Sequence, residues 1–517
     1  MRSLALAVAV ALGSAQGAPQ RGLSGVPQLA RVYDAIYNAQ FDRISLELQD
    51  ACPPAPDAAC RILETVALWW RIQLDPLNRE HDREFQRQAD QAIEAAEAWV
   101  DREPQRAEAW FYLGGAYGAR VQWRVLRGER LAAARDGKRI KDALERALEI
   151  DPDMHDAWFG IGLYHYYADV APAAAKVLRW LLFLPGGDRV KGLQEMLRAR
   201  DQGVLLRSEA DYQLHVLYLW YEEQPERALE LLEGLQHRHP FNPHFPQLIA
   251  EVQDVYQHDL TASLRTWTGL FEAARHRKVA WPEMAEARAR LGMALQLDRL
   301  FETDLAIEHL RAVIAARPSA PWGAVPQAQV QLGEALDRMG FRDDAVAAYE
   351  TALAAIPSED DRLKLRDRAR KGLRRTPDPE GATAYRLSIE GWRALERGDL
   401  EHAAEAIQQS LALRPRDAVT RYRQSRLLQA QKNEAGALAV LDAIIASRAA
   451  TPPTIYAWAC VDAARLLEHQ GARTRALDLY RTAIGVFGAD ERTKEAARRA
   501  LARLEPPRTR RTRRPRG

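Results

Sequence analysis

With 517 residues, the chain is too long for one compact core, and its length predicts several domains or an elongated array. Hydrophobic residues make up 47% of the chain and charged residues 28%, which describes a folded protein and excludes an intrinsically disordered one. The formal net charge is +2 and six arginines crowd the last ten residues, so the remainder is slightly acidic and the basic character lies in one tail.

The first residues have the pattern of an export signal. Arg2 supplies a positive charge, residues 4–12 form an apolar stretch of nine residues, and small residues stand at Ala15 and Gly17. This stretch is too short to cross a bilayer as a helix. The pattern predicts a signal peptide over residues 1–17, cleaved after Gly17, and a soluble mature protein in the periplasm or cell envelope. The alternative is an ordinary first helix, although residues 4–12 show no polar face.

The next segment reads as helices that match the later repeats only in part. Within it, Cys52 and Cys60 close the short loop CPPAPDAAC. In an oxidising compartment these cysteines could form a disulfide. Two unpaired small residues are the alternative, and the sequence leaves this choice open. Cys460 lies in a helical pattern, where we expect a buried thiol.

A stretch of large apolar residues, RWLLFLPGGDR, interrupts the helical pattern at residues 179–189. Its length excludes a membrane span, and the absence of a phosphate-loop motif excludes a nucleotide site. We expect a buried helix over residues 172–184 that Pro185 and two glycines end. Asp188 is then the predicted N-cap of the following helix.

Three histidines lie close together in the stretch HRHPFNPHF, namely His237, His239 and His244. Imidazoles at this density could ligate a metal ion. His237 and His239, however, fall at the C-terminal end of a predicted helix, where cationic side chains suit the helix dipole. Two prolines then make a turn. We favour this structural interpretation and predict no metal site.

An internal repeat of about 34 residues is clearest in the second half of the chain. Residues 326–357 carry Gly333 at position 8, Gly340 at position 15 and Ala345 at position 20, and Pro357 closes the unit. Small residues at positions 8 and 20 let two helices approach closely, and glycine at position 15 permits the turn between them. Further units begin near residues 384, 418 and 457, and interrupted ones at 107, 155, 209 and 285.

This pattern resembles the tetratricopeptide repeat (TPR) family. The resemblance implies an all-α fold, an α-solenoid of helix pairs that forms a superhelical array. The predicted organisation is a signal peptide at 1–17, a helical region with degenerate repeats at 18–104, a TPR-like array with insertions at 105–373, a linker at 374–382, a C-terminal TPR array with a capping helix at 383–504, and a disordered Arg-rich tail at 505–517.

The resemblance also implies a concave groove, lined by the first helix of each pair, that binds a peptide or protein. Aromatic residues and arginine, the residue types that dominate recognition hot spots, occupy the matching positions here. Packing in the core is the alternative for Phe159. The predicted groove residues are Phe159, Tyr166, Gln213, Trp220, Tyr385, Trp392, Tyr422, Arg426, Trp458 and Arg465.

No sequence motif indicates catalysis. The patterns GxxxxGK[ST], GxGxxG, GxSxG and HExxH are absent, as are CxxC pairs. We therefore predict a non-catalytic interaction scaffold without a cofactor, with a protein or peptide as partner and no nucleic acid. The alternatives are an enzyme with its site in residues 155–245 and a transport or secretion accessory protein. In the latter, the Arg-rich tail would contact a membrane or another acidic surface; a merely solubilising tail is the simpler interpretation.

Overall fold

A computed structural model describes residues 21–170, 186–356 and 360–504 of the chain. These residues form 24 α-helices and three short 3-10 helices, with no strand among them. The predicted all-α fold of helix pairs is confirmed. The predicted signal peptide, the predicted helix at 172–184 and the Arg-rich tail lie outside the described residues. Within the described residues, no helix combines the length and apolar character that a membrane span requires.

The chain divides into two compact units between Asn242 and Pro243. The helices of the first unit are α1 Val26–Tyr37, α2 Ile44–Ala51, α3 Asp57–Leu74, α4 Asp82–Arg102, α5 Ala107–Leu126, α6 Arg130–Ile150, α7 Trp158–Val170, α8 Arg189–Gln202, α9 Arg207–Trp220 and α10 Pro225–Arg238. From α3 onward, consecutive helices pack as pairs.

The second unit begins with three helix pairs, α11 to α16. An extra helix, α17, then packs on the third pair before three further pairs and a final helix follow. Its helices are α11 His244–Val255, α12 Leu260–Arg275, α13 Pro282–Arg299, α14 Thr303–Ala316, α15 Ala324–Met339, α16 Arg342–Ala355, α17 Leu365–Leu373, α18 Pro379–Glu396, α19 Leu400–Leu413, α20 Ala418–Ala430, α21 Glu434–Ala446, α22 Pro453–His469, α23 Arg473–Ile484 and α24 Glu491–Leu504.

Small residues lie where the repeat pattern predicts close helix packing. Position 8 is occupied by Gly333 on α15, and a Cβ added there would lie 2.5 Å from the Tyr349 ring of α16. At Gly391 of α18, an added Cβ would lie 2.7 Å from Ile407 of α19. The position-20 alanines are fully buried throughout the second unit: Ala306, Ala345, Ala403, Ala437 and Ala476. Larger side chains at these positions would force the paired helices apart.

The turns inside the last pairs require a left-handed residue at position 15. Gly340, Gly398 and Gly471 have φ angles of 79°, 80° and 78°. In the repeat that begins at residue 418, Lys432 occupies this position with a φ angle of 61°. Glycine takes this conformation without steric cost, whereas a side chain with a Cβ is strained there. The periodic glycines thus follow from the turn geometry.

The N-terminal region is an integral part of the first unit. Leu29, Val32 and Ile36 of α1 are fully buried, and Cys52 and Cys60 are joined by a disulfide. The cap predicted after the Gly-Gly stretch is also present, because the Asp188 carboxylate accepts a hydrogen bond from the Lys191 amide at the start of α8. The residues at 374–382 lie inside the second unit, between α17 and α18 and in the first turn of α18. The predicted domain boundaries stay predictions.

Candidate functional site

The predicted groove residues of the first unit have very different surroundings. Tyr166 is fully buried, and its hydroxyl donates to Glu222 at 2.5 Å. Phe159 is half-buried, whereas Trp220, at the end of α9, is 64% exposed. Burial of Tyr166, together with the Glu222 carboxylate, raises the pKa of its phenol well above the ordinary value. This ring therefore supports the core, and only Trp220 presents a large aromatic surface.

Gln213 belongs to a polar network that also includes the chain's own N-terminal helix, α1. The Gln213 amide donates to Gln122 at 3.1 Å, and Gln122 donates in turn to the buried carboxylate of Glu209 at 3.2 Å. Tyr37 of α1 donates to the same carboxylate at 2.9 Å. Burial raises the pKa of Glu209, although these donors oppose the shift. Gln213 is thus linked to α1 through the buried Glu209 carboxylate and contributes to an internal polar network.

A Ser–His–Asp arrangement lies in the region where the enzyme alternative places a site. Ser208 Oγ lies 2.8 Å from His239 Nε2, and His239 Nδ1 lies 3.3 Å from Asp34 Oδ1. The exposures are the reverse of those in a hydrolytic triad, in which the aspartate is buried and the serine faces the substrate. Ser208 is only 9% exposed, while the side chain of Asp34 is 60% exposed. The arrangement joins α1 to α9 and to the end of α10.

The other two histidines of the HRHPFNPHF stretch differ from each other in exposure. His237 is exposed in the last turn of α10, where the sequence places it, and His244 is buried at the start of α11. In the parts of the chain that the structure describes, no three His, Cys, Asp or Glu side chains are grouped as a metal ion would require.

We expect the first unit to lose stability in mild acid through His215. Burial lowers the pKa of His215 to about 4, so the folded ring stays neutral where the ring of an unfolded chain, with a pKa near 6.5, takes up a proton. The neutral His215 ring contributes fully to the stability of the fold above about pH 6.5, and this contribution declines as the pH falls towards 4. The free energy of unfolding should therefore be about 2 kcal/mol lower at pH 5 than at pH 7 on this account.

Urea titrations at the two pH values, followed by hydrogen exchange of residues 207–220, would measure this change. His215→Gln should remove this part of the pH dependence, and His237→Gln, at an exposed position, should retain it. An unchanged pH dependence in the His215 variant would contradict the assignment.

In the second unit, the turn between α13 and α14 covers part of the predicted groove. The Tyr385 hydroxyl lies 2.8 Å from Thr303 Oγ1, and the buried guanidinium of Arg423 donates to the Phe301 carbonyl at 2.7 Å. The same guanidinium lies 5.9 Å from the ring centre of Trp392. Tyr385 and Trp392 are therefore both close to groups that belong to the chain itself.

Four predicted residues gather around one buried carboxylate, that of Asp462 on α22. The Tyr422 hydroxyl donates to Asp462 Oδ2 at 2.9 Å, and Arg426 lies 3.3 Å from the same oxygen. Arg465 reaches Oδ1 at 3.2 Å. Trp458 packs beside Tyr422 with ring centres 5.5 Å apart. We call Tyr422, Arg426, Trp458, Asp462 and Arg465 the Asp462 cluster.

The Asp462 cluster combines fixed aromatic rings with accessible cations. The Trp458 indole donates to Asp490 at 2.8 Å. Burial and the Asp462 carboxylate raise the pKa of Tyr422 well above its ordinary value, so its phenol remains a donor. The Arg426 and Arg465 side chains are 42% and 54% exposed, whereas that of Asp462 is only 6% exposed. Such a surface suits recognition of another chain, because anchored aromatics and arginines lose little freedom on binding.

Sequence reasoning missed Asp462, which holds this cluster together. A signal was present, because Asp462 is the only acid in the otherwise apolar and small stretch YAWACVDAA of α22. An acid at such a place needs a partner. Arg426 and Arg465 stand at position 9 of consecutive repeats, which places them on the first helices of adjacent pairs.

A tetratricopeptide repeat family model matches residues 81–120, which cover all of α4 and most of α5. No curated protein matches the chain.

The comparison with solved structures found helical repeat proteins of low identity. One is a Rap protein complexed with Competence and Sporulation Factor, at 15% identity, 93% coverage of this chain, 98% of that one and a TM-score of 0.33. Another is a tetratricopeptide repeat protein from Parabacteroides merdae, at 17% identity, 56% and 97% coverage and a TM-score of 0.25. A third is the TPR2AB domain of yeast Sti1 in complex with pHSP90, at 13% identity, 58% and 96% coverage and a TM-score of 0.22. No function is carried over from likenesses this distant.

The family assignment depends on the matched segment and on the packing of the described helices. The position-8 glycines and position-20 alanines lie between paired helices, and the position-15 residues form the turns. The family model identifies a tetratricopeptide repeat in residues 81–120, and the packing of the described helices agrees with the repeat pattern.

Proposed function

We propose that the chain is a non-catalytic interaction protein that holds a peptide or protein segment against the Asp462 cluster. The observation that carries this proposal is the grouping of two half-exposed guanidinium groups with the Tyr422–Trp458 ring pair on neighbouring first helices. Arrays of helix pairs present such extended faces to partner chains. Aromatic residues and arginine supply most of the binding energy at protein interfaces.

The polar groups of the first unit favour a scaffold over an enzyme. Its Ser–His–Asp arrangement has a buried serine and an exposed aspartate, so a substrate would have to enter the protein core to reach Ser208. Its buried carboxylate Glu209 accepts hydrogen bonds from Tyr37 and Gln122. These groups tie helices together, which is the ordinary role of buried polar networks.

We also propose that the protein is exported and acts in the cell envelope. The disulfide between Cys52 and Cys60 supports an oxidising compartment, as does the leader-like pattern of residues 1–17. The partner should then be a protein of that compartment.

A photo-crosslinking experiment in intact cells would test the proposed function. A benzoylphenylalanine in place of His469, which is exposed one helical turn beyond Arg465, should form a discrete covalent product with a partner. The same replacement at Arg475, which is exposed on the second helix of the last pair, serves as the control and should not form it. Mass spectrometry of the product would identify the partner and would also determine the N-terminal residue of the mature chain.

The proposal fails if neither position forms a product, or if the control position forms the same product equally well. The crosslinker stands beside the Asp462 cluster without replacing any of its members, so a negative result cannot come from damage to the cluster itself.

A further inference from the structure

Two guanidinium groups of the Asp462 cluster share a single carboxylate. Arg426 on α20 and Arg465 on α22 lie 3.3 and 3.2 Å from different oxygens of Asp462. The carboxylate is also the acceptor for Tyr422. One negative charge thus faces two positive charges, and the cluster keeps an excess of positive charge.

The neighbouring acid does not cancel this excess. Glu468, further along α22, accepts two hydrogen bonds from Arg503 at 2.6 and 2.9 Å and one from Tyr480 at 3.1 Å. Its charge is therefore matched by an arginine of its own. Among the described residues, no second carboxylate forms an ion pair with Arg426 or Arg465.

Both arginines have hydrogen-bond donors to offer. A guanidinium group carries five N–H donors in a planar fork, and this fork matches the two oxygens of a carboxylate. Within the described residues, Arg426 and Arg465 each make one hydrogen bond, to Asp462. Their side chains are 42% and 54% exposed, so the other donors are open to solvent.

The cluster holds these forks in place before any ligand arrives. The Asp462 carboxylate accepts a hydrogen bond from each guanidinium group. The Tyr422 side chain is held by a hydrogen bond to Asp462, and the Trp458 side chain by one to Asp490. Preorganised donors lose less conformational entropy on binding than free side chains do. The ring pair also offers apolar surface next to the cations.

We infer that the Asp462 cluster selects a peptide segment that carries a carboxylate side chain next to an apolar residue. The carboxylate lies across Arg426 and Arg465, and the apolar residue packs on Tyr422 and Trp458. This inference rests on the proposed function and adds the chemistry of the partner to it.

A synthetic peptide library in three matched arms would test the inference on the full chain. Ten-residue peptides carry Leu or Phe at fixed positions and, beside them, Asp or Glu in one arm, Asn or Gln in the second, and Lys or Arg in the third. We expect the wild-type chain to bind the acidic arm at least tenfold more tightly than the amide arm, because charge-assisted hydrogen bonds are the stronger ones. Affinity for the acidic arm should fall with added salt.

The variant that tests the arginines is Arg426→Gln with Arg465→Gln. Glutamine removes the charge of each side chain but keeps an N–H donor for the buried Asp462 carboxylate. Affinity for the acidic arm should drop about tenfold or more, while affinity for the amide arm stays the same. The control is Arg475→Gln with Arg481→Gln on α23, which makes the same change in net charge at exposed positions and should leave both affinities unaltered.

The outcomes separate the inference from the proposed function. If the acidic and amide arms bind equally well and only Trp458→Ala abolishes binding, the carboxylate assignment is overturned and the peptide-binding function is retained. Preference for the basic arm would also overturn it. Binding of none of the arms by a folded chain would overturn both.

Discussion

Replacing Asp156 by alanine is expected to lower the free energy of unfolding of the first unit by about 3 kcal/mol or more. Asp156 is 2% exposed, and its carboxylate accepts hydrogen bonds from three successive backbone amides in the connection between α8 and α9. The donors are the amides of Val204, Leu205 and Leu206, at 2.8, 3.0 and 2.8 Å. Alanine would leave all three without this acceptor, and a buried donor without a partner, such as the Leu205 amide, costs about 1–3 kcal/mol.

Hydrogen exchange of the full chain, read by mass spectrometry, would measure this loss directly at residues 204–206. The control is Asp153→Ala, because Asp153 lies three residues earlier in the same turn with an exposed side chain, and it should change exchange little. Unchanged protection of the Leu205 amide in the Asp156 variant would contradict the assignment of these hydrogen bonds as the support of the connection.

Asp156 illustrates which part of the structure the sequence could not provide. Helix pairing, the glycine turns and the Asp188 cap depend on residues close together in the chain, so a periodic pattern reveals them. The partners of Asp156 lie about fifty residues away along the chain, and Tyr37 and Asn38 have the distant partners Glu209 and His239. Spacing within one repeat carries no information about such contacts between non-neighbouring segments.

The candidate site was predictable in part for the same reason. Arg426 and Arg465 stand at the same position of consecutive repeats, so the repeat register alone places them on adjacent helices. Tyr385 and Trp392 were selected by the same rule, yet Thr303 and Arg423 of the same unit lie beside them. The register predicts which side chains face the groove, but it does not predict which segments of the chain enter that groove.

The contact between α7 and α8 provides a second test with a large expected effect. Two general rules predict opposite changes in stability when Gly192 of α8 is replaced by alanine. Gly192 lies inside α8, where alanine is a better helix former than glycine by about 1 kcal/mol. A Cβ at Gly192, however, would lie 2.6 Å from the Gly162 carbonyl oxygen and 2.6 Å from the Tyr166 amide nitrogen of α7. Both are backbone atoms, which cannot rotate away. The helices would have to separate, and the Tyr166 side chain with its bond to Glu222 would have to move with α7.

We therefore expect Gly192→Ala to destabilise the first unit by about 3 kcal/mol, since overpacking against backbone exceeds the gain in helix propensity. The matched control is Gly118→Ala in α5, another helical glycine of the same unit, where an added Cβ meets nothing within 4 Å. That variant should be stabilised by about 0.5–1 kcal/mol. Hydrogen-exchange rates of the α7 and α5 amides in the two variants would measure the expected loss of stability in the first and the expected gain in the second. A stabilised Gly192 variant would mean that α7 and α8 do not meet at Gly162 and Gly192, and the packing argued for this part of the array would be wrong.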